Sequence, residues 1–93
     1  MNFRDKAIFR IHRDTIGDCT LDLRRYMLGI YPYWVSLGIS PMSFPECLDF
    51  IKEWCCYRNI GVAEILDPDG FNKHMVIGYR RYKGEDLRKL KQW

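Results

Sequence analysis

Charge is missing between Tyr26 and Pro45: twenty consecutive residues carry none, although Asp, Glu, Lys and Arg make up 29% of the 93-residue chain. Such a run must be covered by lipid, by the protein's own core or by a partner. Its composition argues against a membrane helix. Three prolines (Pro32, Pro41, Pro45), two glycines and three serines leave twelve apolar residues, where a span needs about twenty. Between Tyr33 and Ser40 the pattern alternates, with Tyr33, Val35, Leu37 and Ile39 on one parity and Trp34, Ser36, Gly38 and Ser40 on the other. That period predicts a core strand with one buried face; the alternative is a partly exposed apolar surface, which would mark a partner site.

Other absences narrow the class. A disulfide framework is missing. Cys47, Cys55 and Cys56 fall in one helical segment, where eight residues of rise separate the first two by about 12 Å. Neighbouring Cys55 and Cys56 point in different directions, so a bridge is open only from Cys19 to one of the three. The opening residues Met1 to Lys6 are charged where a signal peptide would be apolar. Together these features predict a reducing, cytoplasmic location. His12 and His74 stand alone, without the paired ligands that zinc requires, and no glycine-rich phosphate loop occurs, so neither metal nor cofactor is expected. His12 with Asp14 could form a base and its orienter, but the sequence places no nucleophile beside them, and a surface strand pair is the expected role.

What is present reads as one small domain spanning residues 1–93, with fourteen aromatics to fill a modest core. Ala7–Arg13 predicts a first strand. Thr20 to Ile30 predicts a short helix with Leu23, Met27 and Ile30 on one face, or else Cys19–Arg25 is a strand hairpinned to the first. Ser43 and Glu46 form a capping box at the start of the clearest helix, and Asn59 and Gly61 stop it. Around that helix Cys47, Leu48, Phe50, Ile51, Trp54, Cys55 and Tyr57 share an apolar arc, while Asp49, Lys52, Glu53 and Cys56 lie opposite. Asp67-Pro68-Asp69-Gly70 predicts a type I turn joining Val62–Leu66 to an alternating run from His74 to Tyr82. A calcium loop is excluded there, because Asn72 stands at the sixth position, where an EF-hand needs Gly, and no Glu closes the loop at the twelfth. Leu87, Leu90 and Trp93 predict a docked terminal helix.

The fold class is therefore α+β, a mixed sheet of about four strands in the order strand, helix, strand, helix, hairpin, helix. In that order the chain resembles the thioredoxin and glutaredoxin fold family, most closely through Leu66-Asp67-Pro68-Asp69-Gly70, Gly78-Tyr79 and Glu85-Asp86-Leu87 with Leu90, which look like the family's closing hairpin and helix. The resemblance implies a reactive cysteine at Cys19. Where the family has CxxC this chain reads Cys19-Thr20-Leu21-Asp22, and no proline lies between Asn59 and Leu66, where the family keeps a cis-proline. The alternative architecture is an N-terminal β-hairpin followed by helix, hairpin and C-terminal helix.

Positive charge concentrates at one end. From Val76 to Trp93 six basic groups face Glu85 and Asp86, a net of +4, whereas residues 1–75 carry nine basic and ten acidic groups, a net of −1. Arg80, Arg81, Tyr82, Lys83, Arg88, Lys89, Lys91 and Trp93 thus form the candidate partner-binding edge. The expected function is a small non-enzymatic interaction or regulatory module that binds a larger partner, most simply a protein. The alternatives are a nucleic-acid-binding accessory protein using that edge and a single-cysteine thioredoxin-like redox protein that depends on Cys19.

Overall fold

A computed structural model describes residues 6–79, which form, in order, β1 (Lys6–Arg13), β2 (Cys19–Met27), β3 (Tyr31–Ser36), α1 (Phe44–Tyr57), β4 (Val62–Leu66) and β5 (His74–Gly78). The strands make one sheet in the order β3-β2-β1-β4-β5. Only the β1–β4 pair is parallel, and the three others are antiparallel. The class is α+β, with α1 laid across one face. Residues 80–93, and with them the expected C-terminal helix and the end of the His74–Tyr82 run, lie outside the described residues.

The order βββαββ differs from the βαβαββ that the resemblance implies, and the difference lies in residues 19–27. These form a strand rather than the expected helix, which is the N-terminal hairpin of the alternative architecture. A helix there would have gathered Leu23, Met27 and Ile30 while leaving Leu21 on its far side. In the strand, Cys19, Leu21 and Leu23 all point into the core, so period 2 buries the apolar residues that period 3.6 would have divided.

Phe9, Ile11, Cys19, Leu21, Ala63 and Ile65 form the sheet's share of the core, and Cys47, Ile51 and Cys55 form the helix's share. Trp54 meets Phe9 edge to face, with ring centroids 5.4 Å apart and planes at 86°, a favoured aromatic geometry. The helix starts as its sequence dictates. The Ser43 hydroxyl accepts from the Glu46 N–H, and the Ser43 N–H donates to the Glu46 carboxylate at 3.0 Å, which also holds that carboxyl below its usual range. Two positions on its projection are corrected. Tyr57, assigned to the apolar arc, is exposed because it sits in the last turn beyond the sheet. Lys52, assigned to the polar arc, is buried, its apolar stem being compatible with cover.

Strand β3 is also corrected. The parity of Tyr33 and Val35 against Trp34 and Ser36 holds, since Val35 stands opposite Leu23 on the helix side of the sheet. The burial holds only past the strand, where Leu37 and Ile39 pack partly against the core. β3 is an edge strand, and α1 packs on β2 and β4 rather than over it, so Tyr33 and Val35 remain exposed.

Candidate protein interface on the β2–β3 hairpin

Beyond Leu23 the β2–β3 hairpin runs past the cover of α1. Met27, Tyr31, Tyr33 and Val35 line its helix side around Arg25, while Tyr26 and Pro32 pair on the other side. At the tip Ile30 donates its N–H to the Met27 carbonyl at 3.1 Å, and Leu28 and Gly29 between them have φ of 54° and 76°. Two consecutive positive φ values describe a type I′ turn, whose first position favours Asn, Asp or Gly. Leu28 occupies it instead, in a left-handed conformation costing a branched side chain about 1 kcal/mol or more, and it stands 83% exposed beside Ile30 at 67%. Neither its backbone angle nor its burial favours leucine there.

Trp34 is treated differently. It lies half-buried on the face of the sheet opposite α1, with the Arg10 guanidinium 4.4 Å and that of Arg24 5.3 Å from its ring centre. Cation–π contact fixes the ring against β1 and β2. No described residue forms an ion pair with Arg25, and the nearest sequence neighbours beyond it are uncharged up to Pro45. The patch is therefore apolar and aromatic, bordered by arginine.

The rest of the open face is a charge ladder. The Asp22 carboxylate accepts from Arg10 at 2.8 Å and from His12 at 2.6 Å. Burial alone would push its carboxyl up, but the hydrogen bonds from Arg10 and His12 outweigh burial and lower it. Glu64 accepts from Lys6 at 3.1 Å and from His74 at 2.6 Å, and these hydrogen bonds hold it below the usual carboxylate range. His12 thus turns to Asp22 and not to Asp14, which caps its own loop by accepting the N–H groups of Ile16 and Asp18 at 3.0 and 2.9 Å. Thr20 stands across the ladder from His12, yet no hydrogen bond joins them among the described residues, so the trio lacks the contact that activates a nucleophile. Each acid is occupied by two cationic or imidazole partners, an arrangement suited to fixing strands in register.

Chemistry is equally quiet at the far end of β2. Cys19 and Cys47 are fully buried, and the Cys19 thiol donates to the Gly17 carbonyl at 3.7 Å. Of the bridges open to Cys19, its neighbour is Cys47, but all four cysteines are free. Burial pushes the Cys19 thiol up against the opposing pull of Arg13 and raises Cys47 to about 12. Such thiols are poor nucleophiles. The position that the thioredoxin resemblance makes reactive begins a strand here and is closed to solvent. Beside it Arg13 donates two hydrogen bonds to the buried Asp67 carboxylate, at 3.1 and 2.6 Å, and rests 4.9 Å from the Phe44 ring. Among the described residues no three His, Cys, Asp or Glu groups stand together as metal ligands, and no helix is long and apolar enough to cross a membrane.

The basic edge expected to bind a partner, Arg80, Arg81, Tyr82, Lys83, Arg88, Lys89, Lys91 and Trp93, lies wholly outside the described residues. The apolar patch that the fold does expose coincides with the first half of the uncharged run. That run was the visible signal. What it could not disclose was where α1 would stop covering the sheet. No family model, no curated protein and no solved structure matches the chain.

Proposed function

We propose that the chain is a non-enzymatic interaction module that docks a protein partner through the β2–β3 hairpin. One observation carries this reading: Leu28, Ile30, Met27 and Tyr31 stand exposed together on the outer part of the hairpin, where the only charges from residue 23 to residue 36 are Arg24 and Arg25. With Tyr33 on the same face, these side chains expose roughly 500 Å² of apolar surface at ordinary side-chain areas, at the upper end of the ~300–600 Å² of the largest patch on a monomer, which is often functional. Tyrosine, methionine and arginine are also the residues enriched at protein interfaces. A role for the basic C-terminal edge alongside the hairpin is compatible with this reading. The charge ladder and the buried thiols supply fold stability, with no catalytic part.

The test starts from capture of partners on immobilised protein, with and without nuclease, followed by titration of the purified partner against variants. Tyr31→Lys combined with Leu28→Asn should weaken binding by at least about tenfold, the loss expected of an interface anchor. Lys73→Glu, far along the sheet, should not. Capture abolished by nuclease and insensitive to the hairpin variants would replace this reading with nucleic-acid binding.

A further inference from the structure

Edge strands ordinarily defend themselves with charge, because a row of free backbone N–H and C=O groups recruits further strands. The outer edge of β3 carries no charge, and Pro32 is the one device on it that blunts pairing. Its six residues, Tyr31-Pro32-Tyr33-Trp34-Val35-Ser36, are uncharged, and no described strand pairs with its outer side. Which backbone groups face outward follows from the register. Just past β3, Leu37 donates its N–H to the Leu21 carbonyl at 3.0 Å, so by the alternation of an antiparallel ladder the odd-numbered residues bond inward to β2. Pro32, Trp34 and Ser36 therefore face outward. Proline fits this parity, having no N–H that β2 could have used.

We infer that a second copy of this chain pairs with that edge, β3 against β3 in antiparallel fashion about a two-fold axis at Trp34, joining two five-stranded sheets into one of ten strands. The inference rests on the reading of the hairpin as a docking region and names its occupant. Three observations select a copy over another protein. A two-fold axis at Trp34 sets Pro32 opposite Ser36 of the partner copy, so Ser36 donates to the carbonyl of Pro32, the residue unable to donate in return, and Trp34 exchanges both bonds with its counterpart. The same axis places Tyr33 directly opposite Val35, an aromatic and β-branched cross-strand pair of the kind that stabilises sheets. It also lays an uncharged strand against itself, residue 31 reaching residue 37 of the copy, so that no like charges meet along the seam. A partner selected by charge would find nothing there to read.

Sedimentation equilibrium of the full chain provides the test. The wild type should be a dimer at about 100 µM, a modest affinity for an interface of this size. Ser36→Pro removes an N–H that points away from β2, leaving the protomer's own ladder intact, and should raise the dissociation constant by roughly tenfold through the two bonds lost per dimer. Tyr33→Lys, on an exposed position, should raise it by roughly a hundredfold by bringing two like charges to the seam. Circular dichroism confirms that each variant is folded. A wild type that stays monomeric to about 1 mM overturns the inference, as does a dimer whose dissociation constant neither variant moves. A monomer whose capture of a different protein is still abolished by Tyr31→Lys would remove the dimer while leaving the docking reading in place.

Discussion

The β4–β5 hairpin turns through Asp67-Pro68-Asp69-Gly70, whereas the β2–β3 hairpin turns through Leu28-Gly29, and the two are held in opposite ways. In the first, Asp67 and Gly70 serve the fold, while Phe71 beyond them is fully exposed. The Gly70 N–H returns to the Asp67 carbonyl at 3.1 Å, the Asp67 N–H closes the loop onto the Lys73 carbonyl at 2.9 Å, and the Asp67 side chain is drawn into the core by Arg13. Gly70 is needed for space, since a Cβ there would run into the Asp67 carboxylate. In the second turn a leucine takes a backbone conformation it disfavours and stands 83% exposed. Residues that stability alone would replace point to a demand from outside the fold. One end of the molecule is therefore read through folding energetics, and the other through binding.

Substitutions can break this contrast. The largest effect is expected from introducing a charge at each end of the same sheet. Leu21→Asp places an unpaired carboxylate in the core and should cost about 4 kcal/mol or more, while Tyr33→Asp should cost under about 1 kcal/mol. Urea denaturation measures both, and equal costs would mean that the hairpin is covered. Next in size is the Arg13–Asp67 pair. Asp67→Ala should destabilise by about 2–3 kcal/mol, less than the loss of a fully buried pair, because Arg13 keeps partial access to solvent and its contact with Phe44.

Smaller effects sharpen the comparison. Leu28→Asn creates the favoured Asn-Gly turn and should raise stability by about 0.5–1 kcal/mol while weakening partner binding. A loss of stability would show that Leu28 is held by contacts within the chain. The smallest concerns acid. Asp22 and Glu64 have lowered values in the fold, so their contribution is present above their unfolded values and is lost as the pH falls through the folded ones. Stability should decline below about pH 4, and Asp22→Asn should flatten the decline. An unchanged acid profile in that variant would remove Asp22 from the ladder's role.

Much of the fold was legible where local chemistry decides it. Ser43 and Glu46 specify a helix start through their own hydrogen bonds, and Asp67 to Gly70 specify a turn, so both appear in place. Residues 19–27 were ambiguous because Leu23, Met27 and Ile30 satisfy a helical spacing while Cys19, Leu21 and Leu23 satisfy a strand's. Pairing with β1 decided between them, and that is a tertiary term. Burial of β3 was misjudged for a related reason: alternation reports which side chains share a face, whereas cover depends on how far a helix elsewhere in the chain extends. The Arg13–Asp67 pair joins residues 54 positions apart, and no local pattern announces such a contact. Cys56, set opposite the apolar arc, is the least buried of the four thiols yet still packs partly against the core.

The parallel pairing of β1 with β4 bears on how the molecule is made. β1 is the central strand, and its register matches Lys6 with Val62 and Arg10 with Leu66, so one of its two edges waits for a segment synthesised more than fifty residues later. The β1–β2–β3 meander can form early because its loops are short. Until β4 arrives, however, that meander has an open strand on each side, one at β1 and one at β3. Long-range pairing of this kind slows folding, and unpaired edges expose intermediates to misassembly. A ribosome-bound chain stalled before Val62 should therefore recruit chaperones or aggregate more readily than one stalled after Gly78.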